Sequence, residues 1–358
     1  MSEKRRVTYV IDDLGHGGTQ RQLYLTLRSL NSASDYSVIV LSNLVEPYAP
    51  LIRALGVHVD VVQRRGSLDA LRLHALTGRL RMRQTRIAHA MLDASGVYTY
   101  LAARMCRMPV VLSMRNEKLH VPAGLRAAVL TRALKNAAAV TANSEAGRKF
   151  LLDGIGVPAG RIHLVPNIVD VPAVSRDPHA LKPVIGVVGR LVDWKRFDAV
   201  LDALPLVRRA VPDARVVLVG DGPERQKLEN RARRADIAGA VEFTGAVDDA
   251  TSLMDRFACL VVTSASEGTS NVALEALARG VPVVTVATGD LLRIVTDGVT
   301  GVIARDISPE ALSEAIVRAL TSSSLRESAA REAPRLMRER HSPEAARDVL
   351  LKLYASLR

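Results

Sequence analysis

Two cysteines, Cys106 and Cys259, are all that this chain of 358 residues contains. So few can neither build a disulfide framework nor supply a zinc site, and a reducing, cytoplasmic setting is the expectation. Aromatic residues make up 3% of the chain, with four Phe and one Trp. That is too little for the stacking platforms that grip unpaired bases, and no zinc spacing, RNP motif or helix-turn-helix signature appears. Nucleic-acid binding is therefore not expected, despite a sequence pI near 10.1. No apolar run approaches the ~20 residues that span a bilayer. The first residues, Met1 to Val7, lead into a strand and not into a signal-peptide core. Asp-x-Asp triplets, short-period repeats and low-complexity segments are also missing.

What is present is an uneven charge. The net charge is +12, but residues 1–170 hold 23 Lys/Arg against 12 Asp/Glu, while the remainder holds 26 against 25. The basic half is expected to face something anionic: a phosphorylated acceptor, an anionic membrane surface or nucleic acid. Hydrophobic residues form 48% of the chain, enough for two domains with proper cores.

Strand and helix patterns alternate throughout. Strands are predicted at 7–11, 36–41, 58–62, 86–91, 110–113, 138–142 and 161–165, with helices at 17–30, 48–55, 67–83, 97–106, 123–135 and 145–153. Pro166, Pro172, Pro178 and Pro183 mark a linker. A second series has strands at 184–188, 215–219, 241–243, 258–262 and 281–286 and helices at 197–211, 225–236, 272–279, 308–320 and 343–357. Such alternation predicts parallel sheets covered on both faces, in two doubly wound domains hinged near 170. Ligands then belong at the C-terminal ends of the strands, in an interdomain cleft.

Four turns carry the candidate chemistry. The strand ending at Thr263 runs into the polar stretch Ser266-Glu267-Gly268-Thr269-Ser270-Asn271, followed by a helix stopped at Gly280. A strand, turn and helix N-terminus offer free backbone N–H groups and a positive dipole to an anion. Glu267 stands at the strand end and Glu275 about two turns up the helix. The pair suits a ligand with hydroxyls on both sides of a diphosphate, such as a nucleotide sugar, and equally suits a helix-entry acid plus an exposed helical glutamate. Gly15-His16-Gly17-Gly18 follows the first strand, but Arg21 stands where the dinucleotide fingerprint needs its third glycine. Gly189-Arg190 with Lys195 occupies the matching place in the second half, where a guanidinium and an ammonium could converge on phosphate oxygens or simply be solvated. Gly220-Asp-Gly-Pro223 allows close backbone approach or a plain turn.

Taken in order, these pieces resemble glycosyltransferase family 4. The resemblance runs through Gly17-Gly18-Thr-Gln-Arg21, Val165-Pro-Asn-Ile-Val-Asp170, Gly189-Arg190 with Lys195, and Val219-Gly-Asp-Gly-Pro223. It continues through Val241-Glu-Phe-Thr-Gly245, Glu267-Gly268 with Glu275, Gly280-Val-Pro-Val-Val284 and Asp297-Gly-Val-Thr-Gly301. It implies a retaining, metal-independent transferase of the GT-B architecture, two Rossmann-like domains facing each other across a cleft. Residues 1–170 would bind the acceptor, rejoined by a C-terminal helix at 343–358, and residues 171–342 would bind the donor. The reaction implied moves a hexose-type sugar from a nucleotide-diphosphate donor, a UDP-sugar, to a glycan or lipid-linked acceptor in cell-surface polysaccharide or glycolipid synthesis. No cofactor is implied. A nucleotide-sugar 2-epimerase with the same sheets is the alternative.

The resemblance also implies roles. Arg190 and Lys195 would neutralise the diphosphate, and Glu275 would accept from the ribose hydroxyls. Glu267 would face the sugar, helped by backbone N–H groups of Gly268, Thr269 and Ser270. Gly189 would shape the loop, and Gly17 and Gly18 would let the first-domain loop approach the reacting centre. Three departures stand out. Many members have a histidine after the fifth strand, where this chain reads Arg115, Asn116, Glu117; His89 and His120 lie elsewhere. Arg293 replaces a common carboxylate, and Gln20 a common Glu. Finally, Arg72, Arg79 and Arg83 fall on one face of the predicted helix at 67–83, with Arg64, Arg65, Arg81 and Arg86 nearby. That stripe, over Leu68, Leu71, Leu76 and Leu80, would meet an anionic membrane or remain a solvated face.

Overall fold

The computed structural model describes residues 6–63, 70–91, 93–119, 121, 124–173, 177, 182–247 and 249–357. Arg64, Arg65, Leu68, His120 and Pro178 lie outside them. The chain separates into two compact units, 1–168 with 343–358, and 169–342.

The first unit runs β1 (Val7–Ile11), α1 (Gly18–Ser29), β2 (Tyr36–Val40), α2 (Tyr48–Ala54), β3 (His58–Val61), α3 (Ala70–Met82), β4 (Ile87–Ala90), α4 (Asp93–Cys106), β5 (Val110–Met114), α5 (Leu125–Asn136), β6 (Ala139–Ala142), α6 (Glu145–Lys149) and β7 (Ile162–Leu164). Its seven strands are ordered β3-β2-β1-β4-β5-β6-β7, all parallel. The central strands are β-branched and apolar with no alternation, and β1, β2 and β5 are buried at every position. That is what a sheet covered on both faces demands.

The second unit contains β8 (Val184–Val188), α7 (Phe197–Ala210), β9 (Arg215–Val219), α8 (Arg225–Ala232), β10 (Val241–Gly245), α9 (Ala250–Met254), β11 (Cys259–Val262), α10 (Asn271–Ala278), β12 (Val283–Thr285), α11 (Leu291–Ile294), β13 (Gly301–Ile303), α12 (Pro309–Thr321) and α13 (Ser323–Arg340). Its six parallel strands are ordered β10-β9-β8-β11-β12-β13. In each sheet the order reverses beside the first strand, between β1 and β4 and between β8 and β11. A crevice opens at such a switch point beyond the carboxyl ends of the strands.

The chain returns to the first unit as α14 (Pro343–Ser356). Tyr354 fixes it there. Its ring is fully buried, and its hydroxyl lies 2.6 Å from that of Tyr9 and 2.7 Å from His89 Nδ1.

The short α9, α11 and β13 of the second unit carry no clear sequence signal, and neither does the 18-residue α13, whose buried Leu325, Ala329, Ala333 and Met337 recur every four residues. Alanines make half of that stripe and Pro334 interrupts it, so its apolar periodicity is faint. Gly280 serves α13 as much as its own turn: at φ +71° it is left-handed, and a Cβ there would sit 2.7 Å from Ala330 Cα. Among the described residues no helix is long and apolar enough to cross a membrane.

Candidate functional site

In the second unit the switch point gathers three loops. The first leaves β8 at Gly189, where φ is +147°. The second leaves β9 at Gly220, φ +137°, and a Cβ there would come 2.0 Å from Gly189 O. A Cβ on Gly222 would likewise meet Leu191 O at 2.4 Å. Leu191 N donates to Asp221 O at 2.9 Å, so these glycines exist to let two backbones touch. The first loop then makes a tight turn over Asp193–Lys195, closed by Arg196 in a left-handed conformation at φ 52°.

The third loop follows β11 and staples that turn in place. Thr263 Oγ1 donates to Lys195 O at 2.8 Å and to Arg196 O at 3.0 Å, and Ala265 N donates to Trp194 O at 2.8 Å. Lys195 Nζ forms an ion pair with Glu267 Oε1, which also accepts from Ser264 Oγ at 2.7 Å. Glu267 Oε2 takes no hydrogen bond among the described residues. The carboxylate is thus oriented by a cation and a hydroxyl on one oxygen, and its other oxygen is left without a partner among the described residues.

Ser270 precedes α10 with extended backbone at φ −72°, ψ 108°. Its hydroxyl does not cap the helix, is buried, and has no hydrogen-bond partner among the described residues. A buried hydroxyl without a partner costs free energy, and here it stands at the positive end of a helix. Glu275 is also buried, at 9% exposure, rather than being a solvated helical acid. Of the residues singled out in sequence, Lys195 and Glu267 meet directly. Arg190 is exposed, and its side chain makes no hydrogen bond or ion pair among the described residues.

The first unit has its own cluster at its strand ends. Gly17 is extended at φ −175° and is not required by its own dihedrals. The tip of Gln20 folds back over it, and Gln20 Nε2 donates to Asp13 Oδ1 at 2.9 Å. Gly18 begins α1. Asp12 was not among the sequence candidates. Burial pushes its carboxyl up to about 6, against hydrogen bonds from the Ser95 backbone and hydroxyl. The signal was there in two adjacent acids at a strand end.

His89 is fully buried between hydroxyls, with Nδ1 near Tyr354 and Nε2 2.8 Å from Ser113 Oγ, which continues to Thr141 Oγ1 at 2.8 Å. Burial, with Arg115 adding repulsion, brings the imidazole down to about 3 and keeps it neutral. It is a structural histidine. Arg115 itself follows β5 and donates to Asn167 Oδ1 at 2.7 Å. Asn116 and Glu117 are partly buried beside it in sequence.

The basic stripe is different from the sequence expectation. Arg72 turns inward, donating to Leu41 O with its guanidinium 4.7 Å from the Tyr98 ring centroid. Arg83 pairs with Asp60 at 2.7 Å and Arg79 with the same carboxylate at 3.6 Å. Helical periodicity could not show this, because Asp60 arrives from β3. Arg81, Met82 and Arg86 remain exposed.

Comparison with known proteins gives a consistent picture. Residues 16–172 match the family described as Glycosyltransferase Family 4, and residues 175–336 match Glycosyl transferases group 1. The chain is 30% identical over 190 residues to the lipopolysaccharide core biosynthesis glycosyltransferase LpsE of Rhizobium meliloti, covering 53% of this chain and 55% of that protein. The match therefore spans about half the length of that relative. It is 26% identical over 322 residues to the alpha-D-kanosaminyltransferase of Streptomyces kanamyceticus, 82% of each chain. The crystal structure of Anabaena HepE in complex with UDP-glucose superposes with a TM-score of 0.86 at 21% identity, over 98% of this chain and 100% of that one.

Proposed function

The chain belongs to the family 4 glycosyltransferases, a GT-B-type protein of two parallel-sheet domains, and on that premise we propose that it transfers a hexose-type sugar from a nucleotide diphosphate, a UDP-sugar, to a glycan or lipid-linked acceptor with retention of configuration. The observation that carries this reading is the stapled Lys195–Glu267–Ser264 arrangement beside the unpartnered hydroxyl of Ser270 at the start of α10. A cation, a helix N-terminus and an oriented carboxylate with one free oxygen are what a sugar diphosphate needs.

In the mechanism this supports, Lys195 and the exposed Arg190 receive the diphosphate. Their charge is worth most as the sugar–phosphate bond breaks and negative charge grows on the leaving group. The N–H groups of Gly268, Thr269 and Ser270, with the Ser270 hydroxyl, hold phosphate or sugar oxygens. Glu267 Oε2 accepts from a sugar hydroxyl, and Glu275 accepts from the ribose. The departing diphosphate takes the acceptor proton on the same face of the sugar, so no side chain is needed as nucleophile and no metal is called on. The strongly basic N-terminal half faces the acceptor, with Arg81 and Arg86 turned to an anionic membrane surface at the inner face of the membrane.

A thermal-shift screen against UDP-, GDP- and ADP-sugars tests the donor assignment. The UDP-sugar is expected to stabilise the second unit, and no response to any of the three would overturn the reading. NMR of the product anomer, with EDTA present, tests retention and metal independence. Donor isomerised without acceptor would identify an epimerase instead.

A further inference from the structure

Arg115 comes directly after the last residue of β5, at the ligand-binding end of the first sheet. Its Nη2 donates to Asn167 Oδ1, and Asn143 Nδ2 reaches the same oxygen at 3.3 Å. All three side chains belong to the first unit. Among the described residues no carboxylate forms an ion pair with Arg115, whereas Arg79, Arg83, Arg148, Arg225 and Arg231 each have one. A guanidinium carries five N–H donors, and a single neutral amide oxygen accounts for one of them. Desolvation lowers the Arg115 guanidinium to about 10, with no acid opposing the shift.

Among the described residues the neighbouring groups carry no negative charge toward it. His89 is neutral, and the hydroxyls of Ser113 and Thr141 are spent on His89 and on each other. The cavity lined by these residues and Arg115 is about 20 Å³, room for one water-sized group. The guanidinium is partly exposed, meets no carboxylate, and keeps most of its donors open to a ligand.

We propose that Arg115 is a specificity-determining residue that binds an oxyanion, phosphate or carboxylate, carried by the acceptor. Asn167 aims the guanidinium, whose planar fork matches two oxygens of such a group in a way that neutral sugar hydroxyls do not. The inference rests on the proposed function only in naming the acceptor as the carrier of the anion.

Calorimetry on the full chain tests it. UDP is first added to saturation to fill the donor loops, and inorganic phosphate or glucuronate is then titrated. The wild-type chain is expected to bind at least one probe. Phosphate points to a phosphorylated acceptor, glucuronate to an acidic sugar. Arg115→Gln should weaken that binding at least tenfold and leave UDP affinity within twofold of wild type. Without ligand, Arg115→Gln and Arg115→Met should melt close to the wild-type temperature or above it, because the partly exposed guanidinium makes one hydrogen bond and no ion pair. Binding of neither probe, equal binding by Arg115→Gln, or a lowered melting temperature in both variants would each overturn the proposal. A wild-type chain that ignores UDP counts instead against the donor assignment. The Arg115 comparison is then run in a Lys195→Ala background, which leaves the first unit untouched.

Discussion

The fully buried His89 should make the first unit lose stability in mild acid, and the size of the loss follows from its surroundings. Its imidazole falls from an ordinary 6.5 to about 3 in the folded chain, chiefly through burial. Between those values the unfolded chain binds the proton and the folded chain does not, so stability rises with pH there. The stabilisation is complete above 6.5 and is lost as pH falls toward 3. Linkage gives a loss of about 2 kcal/mol between pH 7 and pH 5. Asp12 acts with the opposite sign. Its carboxyl is raised from 3.8 to about 6 by burial, so the folded chain binds the extra proton and gains about 1 kcal/mol over the same interval.

His89→Gln isolates the first term. It keeps an amide near Ser113 Oγ, costs about 1–3 kcal/mol at every pH through lost hydrogen bonds, and removes the titration. Urea unfolding at pH 5, 6 and 7 is the assay, and the chain supplies separate probes. All seven tyrosines lie in the first unit, and the one tryptophan, Trp194, lies in the second. Tyrosine-monitored stability of the variant should change with pH about 2 kcal/mol less steeply in total than wild type, a factor of about 30 in the unfolding constant. The tryptophan transition should be unaffected. Parallel pH curves for the two chains in the tyrosine signal would refute the reasoning.

The other predictions concern the proposed site and its supports. Lys195→Ala and Arg190→Ala should each lower turnover by ~10²–10³-fold, with Arg190→Ala sparing the melting temperature because that side chain is exposed; near wild-type turnover at saturating donor would remove either from the diphosphate contact. Glu275→Gln should weaken calorimetric binding of free UDP, and Glu267→Gln should spare it while depressing turnover; equal losses would collapse the division of roles. Gly220→Ala should destabilise the second unit by roughly 3 kcal/mol, since it combines φ +137° with a Cβ 2.0 Å from Gly189 O, and an unshifted tryptophan transition would contradict that. Arg81→Glu with Arg86→Glu should reduce co-sedimentation with anionic vesicles by about 1 kcal/mol per arginine, whereas Arg72→Glu should act by destabilising the first unit; unchanged vesicle binding in the double variant would make this face a solvated one.

The kind of fold is legible from local pattern alone. Strands such as Val7–Ile11 and Val184–Val188 are unbroken apolar runs between amphipathic helices, and only a parallel sheet covered on both faces buries them. The sequence also showed where chemistry could gather, since a strand, a glycine turn and a helix start at Glu267 to Ser270 are local features. The faint stripe of α13 was illegible because alanines carry little periodic contrast and their burial depends on Gly280 admitting a neighbour.

Tertiary structure decided everything that depends on residues far apart in the chain. Spacing alone left Arg190 and Lys195 as equivalent loop cations. The fold sets Lys195 against Glu267, 72 positions away, and leaves Arg190 exposed. Spacing put Arg72, Arg79 and Arg83 on one free face, but β3 brings Asp60 to two of them and the third lies over Tyr98. His89 and Arg115 differ for the same reason. The hydroxyls around the fully buried His89 satisfy a neutral ring, whereas the partly exposed guanidinium of Arg115 keeps its charge near neutral pH and is oriented by Asn167. Local pattern sets which segments are helix or strand because backbone preference and amphipathic period act over a few residues. Desolvation and ion pairing act across space, and their outcome exists only once the sheets have formed.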